Sequence, residues 1–300
     1  MLNGARNYLV RATAHDGLVR AFAIDATHVV GELRRLQRTE PAVTAAIGRL
    51  ATGALLFGAM LKEAEHTVTV RIQGNGPAGT LLATANGRGD VRGLVSRPMT
   101  DVEQVRNGKL NVSGVVGRSG RLTVSRDLGL RHPYIGVVEL VSGEVGEDLA
   151  HYLVSSEQIP SAVGIGVFVR PDGAVEAAGG YMVQLMPGVN DSTAAEIEQV
   201  VGTLPHPTTM LRAGDSPEEI LGRIFPNGFE LLDRVAVRFH CPCSIERVER
   251  SLLLLGPAEL RDIVRNDADQ GFTEVICEFC TQRYELSLDR LEALASLIAS

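Results

Sequence analysis

Four cysteines could do chemistry in this chain, as Cys241-Pro242-Cys243 and Cys277-Glu278-Phe279-Cys280. They are the only thiols in 300 residues, and all lie within the last sixty. Two short pairs and no cysteine left over predict one four-thiolate site, the donor set a tetrahedral zinc ion takes. A single residue between the first two thiols departs from the usual two-residue knuckle spacing. These two lie close enough to oxidise to a local disulfide, so the site reads as metal-binding and redox-capable. His240 is a fifth potential ligand beside Cys241, redundant once four thiols are present. Thiolates are stabilised when a metal takes the place of their protons, so binding would help to fold this short segment.

Charge and composition narrow what such a site can serve. The chain carries a formal charge of −7 with a pI of 5.6. Residues 236–300 hold seven arginines against eleven carboxylates, and a zinc tetrathiolate adds two more negative charges. That surface repels phosphate, which argues against a nucleic-acid finger. Tryptophan is absent and aromatics are 4%, so platforms for base stacking are scarce. A thioredoxin-like oxidoreductase would place its two-residue pair at the start of a helix after a strand, whereas Cys277–Cys280 falls between two strand-like runs. Asp90, Asp101, His132 and His151 form no catalytic spacing, and the chain is expected not to be an enzyme.

The elements that must position the thiols are legible in outline. Length predicts about two domains. Asp16-Gly17 between two alternating runs predicts a hairpin over residues 6–30. A helix is expected over 39–63. Its apolar stretch Pro41–Leu61 contains Arg49 and Gly48, Gly53 and Gly58, which predicts a closely packed core helix and not a membrane span. Strands are expected at Thr67–Gln73, Gly79–Thr84, Val91–Val95, Leu110–Val116 and Leu122–Ser125, then at Pro160–Val169 and Val175–Pro187. The glycine-rich Gly74–Gly79 lacks the lysine of a phosphate loop, and Arg88-Gly89-Asp90 reads as a turn. Thr193 with Glu196, and Ser216 with Pro217 and Glu219, predict the starts of short helices that are marginal alone and must pack on something. The final segment predicts a strand at Arg234–Phe239, a helix capped by Ser244, a helix after Gly256-Pro257, a hairpin with two thiols at its tip, and a last helix capped by Ser287. The fold class is therefore α+β: a β-rich amino-terminal domain with a long packed helix (1–189), a short-helix linker (190–235) and a small carboxy-terminal zinc-binding domain (236–300). The start, Met1 to Asn7, shows no export signal, which predicts a cytoplasmic, reducing setting.

Cys241-x-Cys243, a 33-residue spacer and Cys277-x-x-Cys280 resemble the heat shock protein 33 family of redox-regulated chaperones. Three further stretches carry the same resemblance: Gly179-Gly180-Tyr181-Met182-Val183-Gln184-Leu185-Met186-Pro187-Gly188, Phe239-x-Cys241-x-Cys243-Ser244-x-Glu246-Arg247, and Leu254-Leu255-Gly256-x-x-Glu259-Leu260. The resemblance spans essentially the whole chain. It implies an ATP-independent holdase that binds unfolding client proteins under oxidative stress. One zinc ion per chain would sit on Cys241, Cys243, Cys277 and Cys280 in the inactive, reduced state. Oxidation would form the disulfides Cys241–Cys243 and Cys277–Cys280, release the metal, unfold the linker and favour a homodimer, with no nucleic acid or membrane as partner. Two other classes remain open at this level: a constitutive zinc-stabilised interaction module and a thiol–disulfide oxidoreductase.

Overall fold

The computed structural model describes residues 7–106 and 108–299; the stretch read for an export signal, apart from Asn7, and the last residue lie outside them. The chain divides into two compact units, the second beginning at Cys241.

In the first unit, strands β1 (Tyr8–Ala14) and β2 (Val19–Asp25) form the expected hairpin, with Asp16 and Gly17 both at positive φ in its turn. Helices α1 (Thr27–Gln37) and α2 (Pro41–Gly58) follow. The single helix expected over 39–63 is thus shorter. It is preceded by a separate helix that the sequence reading did not foresee, and Arg38 in the left-handed region ends α1. Next come β3 (Thr67–Gly74), β4 (Thr80–Asn86), β5 (Asp90–Val95), β6 (Val105–Arg106), β7 (Lys109–Leu110) and α3 (Val112–Val116). The strand expected at Leu110–Val116 is mostly this helical turn. Val112, Val115 and Val116 are spaced three and four apart and bury one face, so tertiary packing overrides their β-branched preference. Strands β8 (Gly120–Asp127) and β9 (Tyr134–Glu139), helix α4 (Gly146–Ser155), and strands β10 (Ser161–Val169) and β11 (Val175–Leu185) complete the body. Then come α5 (Asp191–Thr203), α6 (Pro207–Ala213), α7 (Pro217–Ile224), β12 (Glu230–Ala236) and β13 (Arg238–Phe239).

One sheet runs β10-β11-β2-β1-β12, and the other runs β13-β5-β4-β3-β8-β9. Helix α2 lies between them, touching β3, β4 and β5 of one sheet and β2, β10 and β11 of the other. This position explains its composition: it is long and apolar enough to cross a membrane, but 89% of it is buried inside the protein. A Cβ on Gly48 would stand 2.5 Å from Val30 Cγ1, and one on Gly53 would stand 2.3 Å from Leu149 Cδ1, so glycine lets α1 and α4 approach. Arg49 escapes an unpaired burial because its Nη1 donates to the Glu144 carbonyl at 3.0 Å and carboxylate at 2.8 Å.

The loop bearing Glu144 is organised by Asp148, which is fully buried. Its Oδ1 accepts from the backbone N–H groups of Val141 (2.8 Å), Ser142 (3.1 Å) and Gly143 (3.4 Å), and its Oδ2 from Val145 (3.0 Å). Asp148→Ala strands the buried Gly143 and Val145 donors without water. It is expected to cost roughly 3–6 kcal/mol, read as a lowered denaturation midpoint at unchanged slope.

The five-stranded sheet is buried on both faces because its residues alternate. Leu9, Phe22, Ile24 and Met182 face the α2 layer. Val10, Ala12, Ala14, Ala21, Ala23, Ala177 and Tyr181 face the other way, and α5–α7 cover them with Ile197, Met210, Leu211, Ile220, Leu221, Ile224 and Phe225. The short helices therefore find the packing partner they need. Ser216 and Glu219 make the expected reciprocal cap of α7. At α5 the cap is Asn190, whose side chain accepts from Thr193 N–H at 2.8 Å, so Thr193 lies inside the helix and is not its cap. Polar struts reinforce the cover: Tyr8 Oη donates to Glu218 at 2.6 Å, and Arg234 pairs with the same carboxylate.

The strand expected at Arg234–Phe239 starts earlier and is broken. β12 pairs with β1, buried Val237 enters the inter-sheet core, and β13 pairs in parallel with β5. Arg238 Nε holds Asp90 at 2.6 Å, and His240 N–H donates to the Val91 carbonyl. Burial raises the Asp90 carboxyl, but Arg238 and Asn86 outweigh it and hold the group below its ordinary range.

The second unit contains α8 (Ile245–Leu252), α9 (Pro257–Asn266), β14 (Phe272–Ile276), β15 (Arg283–Ser287) and α10 (Leu288–Ala299). Ser244 and Ser287 accept at the starts of α8 and α10 as the sequence predicts. Among the described residues the buried core of this unit is Leu252, Leu260, Leu286, Leu291, Leu294 and Ala295, a small set for sixty residues. The described residues as a whole have the α+β arrangement expected.

Candidate metal centre

Two turns bring the thiols together. Cys241 and Cys243 lie just before the Ser244 cap of α8. Cys277 and Cys280 occupy the tip of the β14–β15 hairpin, where Cys277 N–H donates to Gln282 O and Thr281 N–H to Cys277 O. Thr281 takes a positive φ to close that knuckle.

The four Sγ atoms all lie within 4.8 Å of one another, and all four residues are half-buried. Cys241 Sγ is 3.7 Å from Cys277 Sγ, and Cys243 Sγ is 3.2 Å from Cys280 Sγ. These contacts are far longer than a disulfide bond of about 2.05 Å, and the four residues are free thiols. A tetrahedral ion with metal–sulfur bonds of about 2.3 Å requires sulfurs about 3.8 Å apart, close to this spacing. The residues present therefore fit a soft divalent cation.

The electrostatics agree with that geometry. Burial raises the Cys243 thiol, but the hydrogen bond from Tyr284 and those from the neighbouring thiols prevail, and its pKa falls. Cys280 is driven the other way, by burial and by its hydrogen bond with Cys243. Cys243 and Cys280 are thus pushed in opposite directions, and a cation that took the place of their protons would relieve the conflict.

The structure brings together every thiol that the sequence singles out. The additional residue at the site is Tyr284, on β15 opposite Val275, whose hydroxyl donates to Cys243 Sγ at 3.1 Å. Its own phenol is pushed up to about 12, first by that hydrogen bond and then by burial and the neighbouring sulfurs. An aromatic four residues after Cys280 was the available signal, but it reads equally well as one more strand residue.

Known proteins share this architecture. The family model described as Hsp33 protein matches residues 7–287. The "33 kDa chaperonin" of Bacillus subtilis (strain 168) is 46% identical over 288 residues, spanning 96% of this chain and 98% of the relative. That of Geobacillus sp. (strain WCH70) is 43% identical, spanning 97% and 98%. Among solved structures, the 33 kDa chaperonin (heat shock protein 33 homolog) of Thermotoga maritima superposes with a TM-score of 0.88 at 34% identity, over 98% of this chain and 99% of that one. With a family match over nearly its full length and such relatives across both ends, the chain belongs to the Hsp33 protein family.

Proposed function

We propose that this protein is a redox-regulated, ATP-independent holdase of the cytoplasm, which acts by binding unfolded proteins and not by catalysis. The observation that carries the reading is the convergence of Cys241, Cys243, Cys277 and Cys280 at a spacing that suits one tetrahedral ion. In the reduced state these residues hold one zinc per chain. Zinc gathers four thiolates at one point and supplies folding energy that the small core of residues 236–300 lacks.

Oxidation joins Cys241 to Cys243 and Cys277 to Cys280. Each pair gives two electrons to one peroxide molecule, whose O–O bond breaks and leaves as two hydroxides while the S–S bond forms. Two peroxides therefore oxidise four thiolates, and no sulfur keeps the charge needed to hold a divalent ion. Proximity in the reduced site does not select these pairs, since cross-pair sulfurs also touch. The pairing of near neighbours is what the family resemblance implies, and each thiol has that partner two or three positions away in the chain.

In this reading residues 1–189 are the body, 190–235 the linker whose helices α5–α7 are released, and 236–300 the sensor. The released helices expose apolar side chains to clients, and the oxidised chains pair as homodimers. The test measures zinc content and suppression of a client's aggregation together, before and after peroxide. Loss of one zinc equivalent with gain of activity is expected. Loss of zinc without activity would reduce the site to a constitutive structural staple.

A further inference from the structure

The hydroxyl of Tyr284 donates a side-chain hydrogen bond to a sulfur of the site, Cys243 Sγ. Its placement is built, not incidental. The pairing of β15 with β14 fixes Tyr284 opposite Val275, and its ring packs against the core of the second unit. The ring is thereby anchored while Oη reaches 3.1 Å from Cys243 Sγ. A tyrosine that only filled the core would have no need to aim its polar end at a thiol, since a half-buried hydroxyl can be satisfied by water.

Resting on the zinc-thiolate reading above, we propose that Tyr284 is a positioning residue that orients Cys243 Sγ and damps its reactivity, so setting how readily the four-thiolate site opens to an oxidant. A hydrogen bond into a thiolate withdraws charge from the sulfur lone pairs. The sulfur becomes a weaker nucleophile toward peroxide and a weaker donor to a metal, and its direction is constrained. Loss of that bond frees the sulfur. With the partial sensitivity of thiolate attack to basicity, zinc release under peroxide is expected to quicken about three- to tenfold.

Tyr284→Phe in the full chain keeps the ring and removes only the hydroxyl. Two readouts are taken at equal metal content. One is the rate at which peroxide liberates zinc into a chromogenic chelator. The other is the sulfur-to-cobalt charge-transfer band of the cobalt-loaded protein, which is expected to move to lower energy as charge returns to Cys243; a purely structural role would leave that band in place. A second measurement avoids mutation: uniform replacement of tyrosine by 3-fluorotyrosine makes the phenol a stronger donor, and the band should move to higher energy with slower zinc release. Identical rates and bands in all three proteins would overturn the role of Tyr284 and leave the switch intact. Failure of the unaltered protein to release zinc at all would overturn the switch on which it rests.

Discussion

Cys277→Ser is expected to lower zinc affinity by about two to three orders of magnitude and to leave residues 241–300 largely unfolded under reducing conditions. Structural zinc in small domains is worth roughly 10–16 kcal/mol, so one ligand of four accounts for about 3–4 kcal/mol. The unit has little in reserve. Among the described residues its buried core is five leucines and one alanine, and its surface ion pairs, such as Arg290 with Glu249, contribute little each. Metal analysis after dialysis against a chelator gives the first readout, and limited proteolysis gives the second, with cleavage expected inside 241–300 and in the linker of the reduced variant. Stoichiometric zinc together with a protease-resistant linker in Cys277→Ser would contradict the mechanism proposed here.

The second large effect is expected at Ile220→Asp, remote in sequence from every thiol. Ile220 is fully buried where α7 meets the five-stranded sheet. The substitution deletes a large apolar side chain and puts a carboxylate in its place, a penalty of at least about 4 kcal/mol. Helix α7 has eight residues and does not persist without its partner surface, so the penalty is relieved by detachment and not by rearrangement. The reduced variant should keep its full zinc complement, be cut by protease between residues 190 and 228, and suppress client aggregation without oxidant. Together the two substitutions separate the sensing step from the release step. Retained protease resistance and absent activity in zinc-loaded Ile220→Asp would show that release of α5–α7 is not the step that matters.

What the sequence made legible follows from where the physics is local. Asp16-Gly17, Ser216-Pro217-Glu218-Glu219 and Ser244 act within a few residues, and each does what its chemistry dictates in the structure. The thiol cluster was legible for another reason: four cysteines with none to spare leave few alternatives. Three features depended on the rest of the chain and were not legible. Val112–Val116 becomes helical because α2 offers a surface that rewards three- and four-residue spacing. Helix α1 has Ala26 at its cap position and no acidic first turn, and its first N–H groups go instead to Asp25, at the end of β2, and to Asn7, far away in sequence, so the usual start signal is missing. The run through Val237 changes sheets because a single buried valine is drawn into the inter-sheet core, and nothing near it in sequence marks the break. Tyr284 belongs to the same class, since only hairpin register aims its hydroxyl at Cys243.

The sheet face beneath α5–α7 is largely alanine, with Ala12, Ala14, Ala21, Ala23 and Ala177 across neighbouring strands. Val10, Val19, Tyr181 and Val183 share that face, and the three covering helices pack larger aliphatic side chains and Phe225 onto it. In the release proposed above, α5–α7 would take Met210, Leu211, Ile220, Leu221 and Phe225 with them and leave the five alanines beside Tyr181 and the valines. Under that proposal the peeled cover would drape over irregular targets of many shapes, while the inter-sheet core, which α5–α7 do not line, would stay closed.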